Sequence, residues 1–146
     1  MKICFYNLGS GYSSPVQDYL EKKLGKNIDY PNKDEAQNEL SNIVAKWNYA
    51  IEINGIPDGH IIIKLSGYDF IEIRVKKSKI LIRFPFFRDC RNERIVLLNG
   101  FEKKDGYKQG GKIDRYAERK LSEAQSYYED YCLHNDHFIK IPDIYT

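Results

Sequence analysis

Between Phe70 and Lys77 the apolar residues Ile71, Ile73 and Val75 alternate with Glu72, Arg74 and Lys76. A period of two residues marks a strand that buries one face and leaves the other to charge. Ile80, Ile82, Phe84 and Phe86 repeat the pattern against Leu81, Arg83 and Phe87. The run Ile95 to Leu98 is apolar throughout, as a central strand covered on both sides requires. Ile3 to Tyr6 reads as an opening strand, and the small polar residues from Gly9 to Ser13 end it in a turn.

The spacing changes to three and four in the stretches predicted to be helical. Ser14 and Pro15 suit an N-cap and first helical position, Gln17 the capping-box position, and Val16, Tyr19, Leu20 and Leu24 share one face before Gly25. Asp34 begins a second helix with Ala36, Leu40, Ile43, Val44 and Trp47 on its apolar stripe and Glu35, Asn38, Glu39 and Lys46 opposite. Turn residues Asn54, Gly55, Pro57, Asp58 and Gly59 separate this helix from the strands. After Phe101, residues 102–111 read as a loop. Ile113, Tyr116, Ala117, Leu121, Ala124 and Tyr128 then trace a third helix whose outer face carries Lys112, Arg115, Arg119 and Lys120. The order predicts an α+β fold: a small, mainly antiparallel sheet with two N-terminal helices and one C-terminal helix, all packed on one face.

Composition narrows the class. With 146 residues, 42% hydrophobic and 30% charged, the chain fits one soluble domain. The expected division is a domain over 1–131 and a C-terminal tail over 132–146. No apolar run exceeds about four residues against the roughly 20 of a membrane span, and the start MKICFYN turns polar too early for a signal peptide, so a cytoplasmic protein is expected. Cys4, Cys90 and Cys132 are odd in number and far apart, which predicts neither a disulfide framework nor a zinc ribbon. Charge is uneven: residues 71–120 hold 15 Lys and Arg against 7 Asp and Glu, while the rest of the chain holds 8 against 14. Such clustering favours a polyanionic partner by its local field, and an ordinary solvated surface remains the alternative.

The segments Ser14 to Leu24 (SPVQDYLEKKL), Asn54 to Pro57 (NGIP), Lys64 with Leu65, Glu72 to Val75 (EIRV), the IRF around Arg83, Ile95 to Phe101 (IVLLNGF), and Lys103 with Lys104 occur in one order. In that order, over roughly residues 3–131, the chain resembles the RelE/ParE superfamily of type II toxins, closest to its HigB-like, phage-derived branch. It departs where relatives often carry LysThrPro before the last helix, having AspGlyTyrLysGlnGlyGly instead, and in its tail. Pro85 is a further oddity, because proline is usually excluded from central strands.

The resemblance implies a toxin that cleaves mRNA on the ribosome without metal or cofactor, and a neutralising antitoxin partner, commonly one with a DNA-binding helix-turn-helix. Such cleavage uses the ribose 2′-hydroxyl as nucleophile, so the protein must align it, stabilise the phosphate charge and help protonate the leaving oxygen. Arg83, Arg74, Lys103 and Lys104 are the catalytic candidates. Arg83 leads, as a bidentate phosphate clamp, with a structural ion pair to Glu72 as its alternative; the alternative for Arg74 is a structural pairing within the sheet, and for Lys103 and Lys104 ordinary solvated charge. Lys76, Lys77, Lys79, Arg88 and Tyr107 are candidates for RNA or ribosome contact. No general base is assigned. Two other functions fit the same resemblance: a ParE-like inhibitor that binds DNA gyrase without catalysis, and a catalytically degenerate phage or mobile-element binding protein.

Other chemistry-bearing residues lead less far. Cys132, His134, Asp136 and His137 are potential metal ligands, but zinc needs a closed set with supporting partners, and a flexible tail is the expectation. The opening GlySerGlyTyrSerSer lacks a phosphate-loop lysine. Trp47 and most tyrosines read as packing residues, and His60 as a turn residue.

Overall fold

The computed structural model describes residues 1–9, 11–25, 34–77, 80–104 and 115–145. The elements are β1 (Lys2–Tyr6), α1 (Pro15–Leu24), α2 (Asp34–Glu52), β2 (Ile62–Lys64), β3 (Ile71–Lys77), β4 (Ile80–Asp89), β5 (Arg94–Leu97), β6 (Phe101–Lys104), α3 (Arg115–Leu133) and β7 (Phe138–Lys140), followed by a 3-10 turn at Asp143–Tyr145. Among these residues, no helix is long and apolar enough to cross a membrane.

The strands form one mixed sheet in the order β2-β3-β4-β5-β1-β7, with β6 also paired to β4. Every pairing is antiparallel except β1 with β5, which run parallel from Lys2↔Arg94 to Phe5↔Leu97. The long strand β4 organises the sheet. One edge pairs along β3, and the other passes from β6 (Ile80 to Arg83) to β5 (Phe86 to Asp89). Pro85 falls at that changeover. Its carbonyl accepts from Leu98 N at 2.8 Å on the β5/β6 side. A residue's N–H and C=O face the same strand edge, so the missing donor falls where the partner changes and no regular ladder bond is lost.

Both faces of the sheet are apolar, which corrects the expectation that all helices share one face. Ile73, Val75, Ile82, Phe84 and Phe86 pack with Leu20 of α1 and with Leu40, Ile43 and Trp47 of α2. On the opposite side, Cys4, Tyr6, Phe87, Val96 and Leu98 pack against Ala117, Leu121 and Ala124 of α3. The strand Arg94–Leu97 feeds both cores, with Ile95 and Leu97 on one side and Val96 on the other.

Local chemistry sets the boundaries of α1. Ser14 Oγ accepts from Gln17 N at 3.4 Å, Pro15 opens the first turn, and Gly25 closes the helix at φ 84° while its N–H reaches Glu21 O at 2.8 Å. The turn after α2 uses positive φ at Asn54 and Gly55. A Cβ on Gly55 would stand 3.0 Å from the Arg88 stem.

Two expectations about loops are revised. Glu102 to Lys104, read as loop, belong to β6, because they pair with β4 residues distant in sequence. The tail from Cys132 is integrated as well. Phe138, Ile139 and Lys140 pair with β1, and Tyr145, 5% exposed, enters the α1/α2 core with its ring centroid 6.2 Å from that of Phe5. Burial of an aromatic ring and backbone pairing give this segment a fixed place that composition alone does not reveal.

Candidate functional site

The hairpin of β3 and β4 carries the leading candidates. Its register places Arg74 opposite Arg83, and Lys76 opposite Leu81. Strand β6 extends both rows, with Phe101 beside Arg83 and Lys103 beside Leu81. Paired residues on neighbouring strands share a sheet face, so Arg74, Arg83, Lys76 and Lys103 occupy two adjacent rows of one face. This is the side of the sheet on which α3 packs, as the assignment of Phe101 and Phe87 to that core shows.

Glu72 anchors the arrangement. Its side chain is fully buried, and Arg83, 6% exposed, donates through Nε to Oε1 at 2.9 Å and Oε2 at 2.7 Å. Arg74 donates through its own Nε to Oε1 at 2.7 Å, with a third of its side chain exposed. One carboxylate therefore draws two arginines together. Their mutual repulsion and the cost of burying Glu72 are offset by these charge-assisted bonds. Arg83 Cζ lies 5.1 Å from the centroid of the buried Phe101 ring, which adds a cation–π contact and limits the guanidinium's movement. Through Nε the pair engages one of the five N–H donors of Arg83.

The structure thus contains the Glu72 ion pair weighed for Arg83, and sets it among further cations. Lys103 and Lys76 stand in the next row, partly exposed and exposed respectively. Lys77 and Lys104 both pair with Ile80 at the hairpin end. Lys79 and Tyr107 lie outside the described residues. Arg88 is not part of the cluster: it is five positions beyond Arg83, an odd step along β4, and its stem packs over Gly55. Arg88 Nη1 lies 3.4 Å from Asn54 O.

One partner of this cluster, Phe101, is not marked by spacing. Glu72 is, because it lies two residues from Arg74 on the same strand and so shares its face. Phe101 lies 18 residues from Arg83 in the chain. The signal available in sequence was the short link between Lys77 and Ile80, which fixes hairpin register and hence the facing of Arg74 and Arg83.

The C-terminal candidates for metal ligation form other contacts. His137 Nδ1 is 2.6 Å from Asp130 Oδ2, the same oxygen to which Tyr6 donates at 2.6 Å, and the His134 and His137 rings stack at 4.6 Å. Among the described residues no group of three or more His, Cys, Asp or Glu is placed to hold a metal ion.

No family model, curated protein or solved structure matches this chain. Fold and site together define an α+β protein of three layers in which a cationic cluster on one sheet face is built around a buried carboxylate.

Proposed function

We propose that this protein is a type II toxin of RelE-like fold and HigB-like kind, a ribosome-dependent mRNA endonuclease. The observation that carries the reading is the convergence of Arg74, Arg83, Lys76 and Lys103 on two adjacent rows of one sheet face. Among the described residues, Arg74, Arg83 and Lys103 gather around the single carboxylate of Glu72; this excess of positive charge favours a phosphate-bearing ligand, and a rigid sheet holds it without reorganisation.

In this reading the protein aligns the ribose 2′-hydroxyl for attack on the adjacent phosphorus. Arg83, fixed by Glu72 and Phe101, and Arg74 stabilise the charge that grows on the phosphate oxygens. Lys103 is assigned to proton delivery at the leaving oxygen. Lys104 and Lys77 are in register with Ile80, one step off the rows of Arg83 and Lys103, so Lys104 has no catalytic role in this reading, and Lys76, Lys77 and Lys79 are left to the RNA backbone. The partners are mRNA on the ribosome and an antitoxin that screens the cationic face.

The test is reporter synthesis in a purified translation system, with intact mRNA followed by gel. The reading expects loss of synthesis and ribosome-dependent breaks, and resistance of an mRNA with 2′-deoxyribose at the scissile position. Loss of synthesis with all mRNA intact would overturn it.

A second reading, a non-catalytic protein such as a gyrase inhibitor or a degenerate binding relative, is favoured by one observation. Arg83 is nearly inaccessible and already bonded to Glu72. It predicts intact mRNA together with inhibition of DNA supercoiling, or with neither activity.

A further inference from the structure

We propose that the cleft between α1 and α3 is a binding site for an arginine side chain presented by a polypeptide partner. The cleft has a volume of about 570 Å³ and lies beside the ends of β1 and β5, and neither Glu72 nor Arg83 lines it. Its occupant is argued independently of the RNA-cleavage reading.

Three features of the cleft define the ligand. The walls are aromatic, with Tyr6, Tyr12, Tyr19, Tyr116 and Tyr127 all contributing. The ring of Tyr6 stacks on Tyr127 at 4.9 Å and its hydroxyl donates to Asp130 at 2.6 Å, so part of the wall is fixed before anything binds. The second feature is Asn99, 3% exposed. Its Nδ2 donates to Lys120 O at 3.0 Å, whereas its Oδ1 has no hydrogen-bond partner. A buried acceptor without a donor is costly, and a ligand that brings an N–H to it recovers that cost. The third is acidity: among the described residues the carboxylates of Asp18, Glu123 and Asp130 line the cleft with Lys22 and Lys120, Asp18 accepting from Ser13 at 2.8 Å, Glu123 pairing with Lys120 at 3.3 Å and Asp130 meeting His137 at 2.6 Å.

An aromatic, acceptor-rich cleft calls for a flat ligand rich in donors. Guanidinium carries five N–H groups, no acceptor and a positive charge, and stacks on tyrosine faces. The surrounding carboxylates keep acceptor capacity beyond their present bonds, since each offers about four lone-pair sites. A nucleotide fits less well because its base brings acceptors of its own and the carboxylates repel its phosphate. Lysine is a point charge and lacks the planar face.

The rim identifies the source as a polypeptide. Leu8, Tyr12 and Tyr116 are 42%, 64% and 44% exposed, and all three border this cleft. Large exposed side chains around one concave site offer apolar contact to the residues flanking an anchoring arginine. The Tyr116 ring is also 6.4 Å from Phe101, which underlies Arg83, so a partner anchored here adjoins the cationic sheet face.

The test uses the full chain with ¹³C-labelled tyrosine rings, titrated with N-acetyl-arginine methylamide, its neutral isostere N-acetyl-citrulline methylamide, and adenosine monophosphate. The arginine compound is expected to shift the Tyr12, Tyr116 and Tyr127 resonances saturably, with citrulline weaker by roughly threefold or more. The Asp18→Asn/Glu123→Gln variant should weaken arginine by a similar factor, and Asn99→Ala should weaken it as well. The acidic pair lies toward the surface, so it keeps the test decisive if Asn99→Ala fails to fold. No saturable shift, equal binding of citrulline, indifference to the acidic substitutions, or preference for adenosine monophosphate would each overturn the proposal. The last would assign the cleft to an RNA base.

Discussion

Arg83 and Glu72 are joined by a single donor that meets both carboxylate oxygens, Nε lying 2.9 Å from Oε1 and 2.7 Å from Oε2. Because Glu72 is fully buried and Arg74 bonds it too, the pair is a structural support as well as a candidate site. Glu72→Ala leaves two arginines facing each other in register, one of them buried, and should destabilise the fold by about 3–5 kcal/mol. Urea unfolding of the variant measures this. The double change Glu72→Met/Arg83→Met should recover most of the loss, because it removes both charges while filling the space.

The three thiols should separate by reactivity. Cys4 is buried and its thiol is pushed up to about 12, first by burial, whereas Cys90 and Cys132 are exposed. The thiolate is the reactive form. Titration with a thiol reagent at neutral pH should modify Cys90 and Cys132 in the folded protein and reach Cys4 only after denaturant is added.

Asp58 makes acid stability depend on one turn. It accepts from the Tyr49 hydroxyl at 2.5 Å and from the N–H groups of His60, Ile61 and Ile62, and these bonds, led by that of Tyr49, hold its carboxyl well below its ordinary value of 3.8. A lowered folded-state value means that the stabilisation is full above the ordinary value and is lost as pH falls through the lower one. Asp58→Asn should therefore be less stable at neutral pH and show a shallower decline between about pH 4 and 2 in thermal melts.

Tyr145 ties the C-terminal segment to the core. Removing its ring beside Phe5 with Tyr145→Ala should cost about 3 kcal/mol. Denaturant unfolding would show the loss, and proteolysis should find new cleavage near residues 138–145. An unchanged midpoint would mean that the segment contributes nothing to folding.

Much of this architecture was legible where the signal was local. The alternation from Ile71 to Val75 gave a strand with the expected buried side, and Ser14, Pro15 and Gly25 delimited α1 by capping chemistry that needs no tertiary partner. The same alternation placed Arg74 and Lys76 on one face. Pairings between distant segments were not legible. Strand β1 lies parallel to a segment some 90 residues on, β6 joins β4 only once the chain has turned back from β5, and β7 needs the open edge of β1. The two-faced packing escaped for a related reason: Phe87, Val96 and Leu98 announce a second apolar face only when their strands lie side by side. In the site, the resemblance names Arg74, Arg83 and Lys103 and alternation puts the two arginines at polar strand positions, whereas the row that joins Lys103 and the Phe101 ring to them exists only through β6.

Primer-extension mapping of a defined mRNA in a purified translation system tests most directly the proposed cleavage of mRNA by the cationic face on the ribosome. Wild type would be compared with Arg83→Ala and with Arg74→Ala/Lys103→Ala, which leaves the Arg83–Glu72 pair in place, each first shown to be folded. Breaks are expected only when ribosomes are present and should be lost in both variants. Absence of breaks with folded wild-type protein would contradict the nuclease reading, and breaks that persist in both variants would keep the enzyme and reject these residues.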